Sequence, residues 1–360
     1  MDARLAADSC LNSVRGGWVT GRTAAEQATA LRYTGPLCDR AVLSDMAGQR
    51  IAVAGATDAR YAMPLAVTLC SVGHHAGPGV IVDAYIVDDG VIGEDRAKVE
   101  SSLPDNVQLH WVAAQEGLEG LPTWGRMPLT TYRKLTVGEW MPAELNRVIW
   151  LDCDLLMLED ISALWRTSLG DQLAMAVQDP RVPLASSRFG VAAWRELGIA
   201  AEAKYFNAGV MVIDLSGWRE HGVSRRSLEY LRKYGDRVYF WDQEALNAVL
   251  AGRWGELDRR WNRHPSLEHV PGSRNGSDDR IGVAHFSGHL KPWNLSRQSA
   301  SHRLYQDYLS RTAWADWVPA NRWRDRFVGW YETTRVRPLL YPVERWMTVV
   351  EKYLTRTRGR

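Results

Sequence analysis

The stretch Arg147-Val-Ile-Trp-Leu-Asp-Cys-Asp-Leu-Leu-Met-Leu158 decides the reading of the fold. It is apolar almost throughout, broken only by Asp152 and Asp154 with Cys153 between them. A short apolar run bounded by charge reads as a strand buried on both faces, the form that parallel strands of α/β proteins take. Burying an ionised carboxylate is costly unless it is paired or holds a metal. Open α/β sheets bind ligands just beyond the carboxyl ends of their strands. Residues two apart on a strand point to the same face, so the pair is expected to offer oxygen ligands to one hard cation. Magnesium, manganese or calcium suits such ligands better than zinc. Taken alone, the D-x-D pattern fits two solvated strand-end acids equally well.

Working outward, residues 51–55 and 80–87 read as strands, with Asp88-Asp89-Gly90 as a turn signal after the second. Helices are expected over 62–72 and 94–103, a third strand over 107–112, and a helix over 130–140 ended by Met141-Pro142. This rhythm predicts a mostly parallel, doubly wound sheet. Beyond it, 172–177 and 208–213 read as strands, and 224–234 as a helix closed by Gly235. Residues 242–252 read as a further helix, with Asp242 as an N-cap candidate and Gly252 as its C-terminal glycine.

The 360-residue chain has 46% apolar and 24% charged residues and a net charge of +2. Those values are ordinary for a soluble globular protein and give no reason to expect a nucleic-acid partner. Four cysteines without a C-x-x-C pair point to a reducing compartment. No signal pattern and no bilayer-length apolar run is apparent, so a cytoplasmic location is expected. Residues 1–48 read as an N-terminal extension, 49–293 as the α/β body, and 294–360 as an aromatic, basic, helical C-terminal extension. From Arg322 to Arg360 the chain carries ten Lys or Arg and four Asp or Glu, a net +6. Val343, Trp346, Met347, Val350 and Leu354 recur there at helical spacing. Such a helix either docks on the body or lies on an anionic membrane, which would place the protein peripherally at the inner face.

Two carboxylates are too few to hold a metal with a diphosphate. His285 follows a short apolar run and precedes Lys291, with Gly288 between them, where bare backbone can approach phosphate. A lone histidine is more often a satisfied core residue. Asn207 lies just ahead of an apolar run, where it serves as a turn residue or bonds a substrate hydroxyl.

Six segments, in order, resemble glycosyltransferase family eight, the retaining nucleotide-sugar transferases that include lipopolysaccharide galactosyl- and glucosyltransferases and glycogenin. They are Ala52-Val-Ala-Gly-Ala-Thr-Asp-Ala-Arg-Tyr61, Thr130-Thr-Tyr-Arg-Lys-Leu135, Leu151-Asp-Cys-Asp154, Tyr205-Phe-Asn-Ala-Gly209, Asp242-Gln-Glu-Ala-Leu-Asn247 and His285-Phe-Ser-Gly-His-Leu-Lys-Pro-Trp293. Each is unremarkable alone, and their shared order over roughly 50–293 is specific. The resemblance implies a GT-A fold, a Rossmann-like nucleotide part over 49–155 merged with a donor and acceptor part over 156–293. It implies a UDP-hexose donor, glucose or galactose, and Mn2+ or Mg2+ held by Asp152, Asp154 and His285. By the same pattern Ala56 and Asp58 would contact uracil and ribose, with Arg60 and Tyr61 beside them. Gly288 and Lys291 would meet the diphosphate, and Lys134 would lie near it and the sugar. Asp179, Asn207, Asp242 and Gln243 would surround the donor sugar as catalytic residues.

Three positions depart from the family's pattern: Arg60 where Asn is common, Lys134 where Arg is usual, and His289 where Pro is frequent. Lysine lacks the bidentate fork of arginine, and Arg133 is the neighbour that could compensate. The implied chemistry is hexosyl transfer to a carbohydrate, glycolipid or small-molecule glycoside, with residues 181–204 and the aromatic C-terminal region choosing the acceptor. Transfer with retention needs a covalent nucleophile or front-face attack, and the amide of Gln243 is a poor nucleophile. Competing readings are a non-catalytic sugar-nucleotide-binding relative, a self-glycosylating protein, and a phosphatase of the D-x-D type. The phosphatase motif continues to Thr or Ser, whereas Leu155 and Leu156 follow here.

Overall fold

The apolar run at 147–151 forms β4 of a mixed sheet, because it lies between two cores. In this computed structural model, which describes residues 48–123, 127–264, 280–288, 291–294 and 300–318, Val148 and Trp150 pack into one core and Ile149 and Leu151 into another. A strand that feeds both cores has no polar face, which is why its sequence shows no alternation.

Strands β1 (Arg50–Thr57), β2 (Ile81–Asp88), β3 (Val107–Ala113) and β4 (Arg147–Leu151) lie in parallel in the order β3-β2-β1-β4. Helices α1 (Ala62–His74) and α2 (Gly93–Ser101) make the crossovers between β1, β2 and β3. The short α3 (Val137–Trp140) precedes β4; β5 (Leu155–Met157) and α4 (Ser162–Trp165) follow it. The sheet continues through β6 (Ala174–Gln178), β7 (Phe206–Asp214) and β8 (Trp254–Glu256) in the order β4-β7-β6-β8. Only β7 is reversed, being antiparallel to both β4 and β6. Helices α5 (Leu215–Glu220), α6 (Val223–Tyr234) and α7 (Trp241–Val249) follow β7. Strand β9 (Val283–His285) pairs with β5 as a separate ribbon. Met63 and Val67 of α1 join Leu156, Phe286 and Trp293 in a third core with Tyr305, Tyr308 and Leu309 of α8 (Ala300–Leu309).

This geometry places the site. The chain goes from β1 outward to β2 and β3 and then returns to β4 on the other flank of β1. The crevice beyond the carboxyl ends of β1 and β4 is therefore the switch point where open sheets bind ligands. Because β7 is reversed, its amino end reaches the same edge.

Four local expectations are corrected. The acidic pair does not lie on a strand: β4 ends at Leu151, and residues 152–154 form the bend leading to β5. Thr68 of α1 pins that bend from below, donating to the carbonyls of Cys153 and Leu155 at 2.9 and 2.8 Å. Second, residues Leu129–Thr136 form a 3-10 run, and only Val137–Trp140 is α-helical. Tyr132 through Thr136 are all buried. Third, Phe240 occupies the N-cap position of α7, with Asp242 inside the first turn. Gly235 closes α6 as expected, with φ −57. A Cβ there would lie 2.3 Å from both the Leu231 carbonyl and Pro122 Cγ, so close packing requires the glycine. Fourth, Asn207 stands inside β7, where the β6–β7 register breaks. The amphipathic segment at 343–354, the extension at 1–47 and His289 lie outside the described residues. Among the described residues, no helix is long and apolar enough to cross a membrane.

Candidate active site

The bend at 152–154 turns Cys153 away from the two carboxylates. Cys153 turns into the protein, its thiol donating to the Ala56 carbonyl at 3.1 Å, and burial pushes its pKa well up. Asp152 and Asp154 emerge on the crevice side. The Asp152 backbone donates to the Gly209 carbonyl at 2.9 Å, and the Trp150 indole donates to its carboxylate at 2.9 Å. The β5–β9 ribbon then brings His285 to the pair, since Leu155 and His285 are register partners. His285 Nε2 lies 3.1 Å from Asp154 and 3.9 Å from Asp152. Asp152, Asp154 and His285 each offer one ligand atom within 4.8 Å of the others.

This donor set tests the implied metal. Two carboxylates and an imidazole match a hard divalent cation such as Mn2+ or Mg2+. The Lys291 ammonium ion-pairs with Asp154 and donates to the Phe286 carbonyl at 2.9 Å. The carboxylate thus already faces positive charge. Burial opposes ionisation of Asp154, but Lys291 and His285 outweigh it and hold its pKa far below the ordinary range. The residues fit the ion.

Lys134 is a second lysine at the site, 4% exposed. Its Nζ lies 2.8 Å from Asp242 and 3.0 Å from Asp152, joining the bend to the start of α7. Burial disfavours its charge, and the two carboxylates reverse that effect, raising its pKa above the ordinary lysine value. Arg133 does not compensate for Lys134 at this point. It turns to Asp89 beyond β2, at 2.9 and 3.2 Å, and to the Gln115 carbonyl.

A string of carboxamides lies behind the cation cluster. Asp179, at the carboxyl end of β6, accepts from Asn207 Nδ2 and Gln243 Nε2, each at 3.1 Å. Burial raises its pKa, but Arg181 and those amides outweigh that and lower it. Gln243 Oε1 accepts from the Ala208 backbone at 3.2 Å. Asn262 was not singled out in the sequence. It lies between Asn207 and His285, with contacts of 2.9 and 2.8 Å. Glu244 was also missed as a site support. Fully buried, it accepts from Ala192 N, Tyr230 Oη and Tyr239 N at 2.8, 2.9 and 2.8 Å, anchoring the segment after β6. Its position inside Asp242-Gln-Glu-Ala-Leu-Asn247 was its only signal.

At the end of β1, Asp58 caps the turn Ala59–Tyr61 and pairs with Arg60 at 2.7 Å. Those two engage each other rather than the acidic pair. Tyr61 packs edge-on to Trp293 at 5.8 Å, and its ring centre lies 6.0 Å from Lys291 Nζ. Gly288 is exposed with φ +101, and a Cβ there would meet nothing within 4 Å. The structure therefore gathers Asp152, Asp154, His285, Lys291, Lys134, Asp242, Gln243, Asp179 and Asn207. Asp58 and Arg60 stand at its rim.

The family model described as Glycosyl transferase family 8 matches residues 52–296. The chain belongs to glycosyl transferase family 8. A structure of the galactosyltransferase LgtC in complex with donor and acceptor sugar analogs is similar with a TM-score of 0.64 and 26% identity, covering 76% of this chain and 99% of that one. The mixed seven-stranded sheet and this neighbour make the fold GT-A. General stress protein A of Bacillus subtilis is 27% identical over 65% of this chain and 84% of its own length. Probable galacturonosyltransferase-like 6 of Arabidopsis thaliana is 31% identical over 45% of this chain and 49% of its own. As a family 8 member the protein is a glycosyltransferase, and the phosphatase reading falls.

Proposed function

We propose that the chain is a metal-dependent retaining glycosyltransferase that moves a hexose from a UDP-sugar to an acceptor hydroxyl. The observation that carries this reading is the cluster of Asp152, Asp154 and His285 within 4.8 Å, with Lys291 against Asp154. A manganese or magnesium ion bound there would supply Lewis-acid stabilisation of the departing diphosphate. Lys291 adds a fixed positive charge where leaving-group charge develops. Gly288 leaves its backbone open to a phosphate. Asp179 and Asp242 orient sugar hydroxyls, and Ala56, Asp58, Arg60 and Tyr61 hold the nucleoside end.

The Gln243 amide is a poor nucleophile, and its two ends are engaged, one with Asp179 and the other with the Ala208 backbone. Asp242 is engaged by Lys134 at 2.8 Å and Thr131 at 3.1 Å. These engagements favour front-face transfer, in which the acceptor attacks on the side from which the diphosphate leaves and passes its proton to a diphosphate oxygen. An inverted product anomer in NMR would sink this.

LgtC is named a galactosyltransferase and the Arabidopsis relative a probable galacturonosyltransferase-like protein. The donor panel is therefore UDP-glucose, UDP-galactose and UDP-galacturonate. Wild type is expected to release UDP with Mn2+ and to stop on chelation. Asp154→Asn should lose about a thousandfold, because several kcal/mol of metal stabilisation converts at about 1.4 kcal/mol per tenfold. Chelator-insensitive release would overturn the metal role.

A further inference from the structure

The imidazole of His285 can present only one nitrogen as a lone-pair ligand while the other keeps its proton. Which nitrogen faces the aspartates follows from the far end of the carboxamide string. Asp179 can only accept, so the nitrogen of the Asn207 amide must face it, at 3.1 Å. Asn207 Oδ1 then points the other way, where it receives the Gly209 backbone N–H at 3.0 Å. Asn262 meets that oxygen at 2.9 Å and can do so only through Nδ2. Its own oxygen is left facing His285 Nδ1 at 2.8 Å, so Nδ1 carries the proton. Nε2 is the nitrogen turned to Asp154 and Asp152. A carboxylate and a main-chain N–H set the direction of every amide in the string, and neither can reverse its role.

Packing agrees. A Cβ on Gly209 would lie 2.2 Å from His285 Cε1 and 2.7 Å from Nδ1, so the ring rests on bare main chain. Asn262 ends the turn Arg259–Asn262, which Asp258 caps. The turn is tied to β9 through Gly282 N to Arg260 O at 2.9 Å and Arg263 N to Val283 O at 3.0 Å. Asn262 and His285 are thus held on one small unit.

We propose that Asn262 is the positioning residue of the cation site, holding His285 with Nδ1 protonated and Nε2 aimed at Asp152 and Asp154, and joining that site to Asp179, Asn207 and Gln243. The inference rests on reading Asp152, Asp154 and His285 as a cation site. Metal-bound histidines commonly donate their second N–H to such a partner, and losing the partner weakens metal affinity by about 10- to 100-fold. Asn262 itself touches no reacting atom.

The test uses the full chain as wild type, Asn262→Ala, the near-isosteric Asn262→Leu, and Asn262→Asp, which keeps an acceptor for Nδ1–H. Each is titrated with Mn2+ in the presence of UDP, free ion being read by EPR. Pulsed EPR then reads the nitrogen-14 coupling of an imidazole bound to the ion. Asn262→Ala and Asn262→Leu are expected to lose about 10- to 100-fold in Mn2+ affinity and to weaken that coupling. Asn262→Asp keeps the acceptor for Nδ1–H but loses the donor to Asn207 Oδ1, so it should recover only part of both. Wild-type affinity and coupling in Asn262→Leu would overturn the proposal. In that case wild-type Mn2+ binding still stands, so the function reading survives. A wild type that binds no Mn2+ brings down both.

Discussion

Asp152 and Asp154 stand two residues apart, yet each faces a lysine in a different setting. Lys134 comes from a buried 3-10 run and lies between two carboxylates, Asp152 at 3.0 Å and Asp242 at 2.8 Å. The Trp150 ring lies beside it at 5.5 Å. Lys291 follows the exposed Gly288, meets one carboxylate and one carbonyl, and lies about equally far from the Tyr61 and Trp293 rings, at 6.0 and 5.8 Å. Burial opposes the charge of Lys291, and Asp154 more than restores it. The difference is one of compensation. Two protein carboxylates satisfy Lys134, so it acts as a strut between the motif and α7. Lys291 shares its single carboxylate with His285, and in the proposed function it is the ammonium that meets the diphosphate. On that reading the strut serves stability and the second lysine chemistry.

Lys291→Met breaks the comparison most sharply. Loss of a donor aimed at developing charge costs about 100- to 1,000-fold in kcat, and Mn2+-dependent UDP release should fall by that much. The melting temperature in the presence of Mn2+ should change little. A variant with near-wild-type kcat but a lowered melting temperature would make Lys291 a strut as well.

Lys134→Met should show the opposite profile. Removing one partner of a buried ion pair costs about 3–5 kcal/mol, and the lower end applies because Asp152 is 30% exposed and partly screened. At about 2–4 °C per kcal/mol for a domain of this size, the metal-free protein should melt roughly 6–12 °C lower. Lys134→Arg, which supplies the family's usual residue, should keep most of that stability. If Lys134→Met loses activity without losing stability, Lys134 joins Lys291 as a chemical group.

The same contrast marks what the sequence disclosed. Strand β4 and the parallel sheet on its flank were legible because burial on both faces erases alternation, and the strand–helix rhythm leaves few topologies. The acidic pair, His285 and Lys291 lie together in space, the pair on a bend after β4 and His285 at the end of β9. Asp242 misled because its local signal, an acid opening a helix, yielded to a distant one, the ammonium of Lys134. The left-handed Trp241, with φ 36, opens that helix without any glycine to announce it. Asn262 was illegible for a deeper reason. Its function depends on residues 207, 262 and 285 meeting in space, and no periodicity or spacing records such a meeting. Glycine 209 carried a hint within Tyr205-Phe-Asn-Ala-Gly209, but only the position of the His285 ring explains it.

The smallest effect concerns Arg133, the sequence neighbour of Lys134, which supplies a control for the comparison. Arg133 is also a buried cation, and its carboxylate, Asp89, lies away from the acidic motif. Burial opposes ionisation of Asp89, but the bonds from Arg133 and Thr130 outweigh it and depress its pKa. A carboxylate depressed in the folded state contributes stability that is present above its unfolded pKa, about 3.9, and is lost as pH falls through the folded value. Arg133→Leu should therefore cost roughly 1.5–3 kcal/mol near neutrality, the range for a hydrogen bond to a charged group. The gap from wild type should close as acid protonates Asp89. Chemical denaturation of both proteins from pH 7 to the lowest pH at which they stay folded gives that gap directly. Because Arg133 reaches neither Asp152 nor Asp242, Mn2+ affinity should be the same in variant and wild type. If instead Arg133→Leu weakened Mn2+ binding, the 3-10 run would be transmitting strain from one neighbour to the next, and the separation of strut from chemistry would fail at its simplest point.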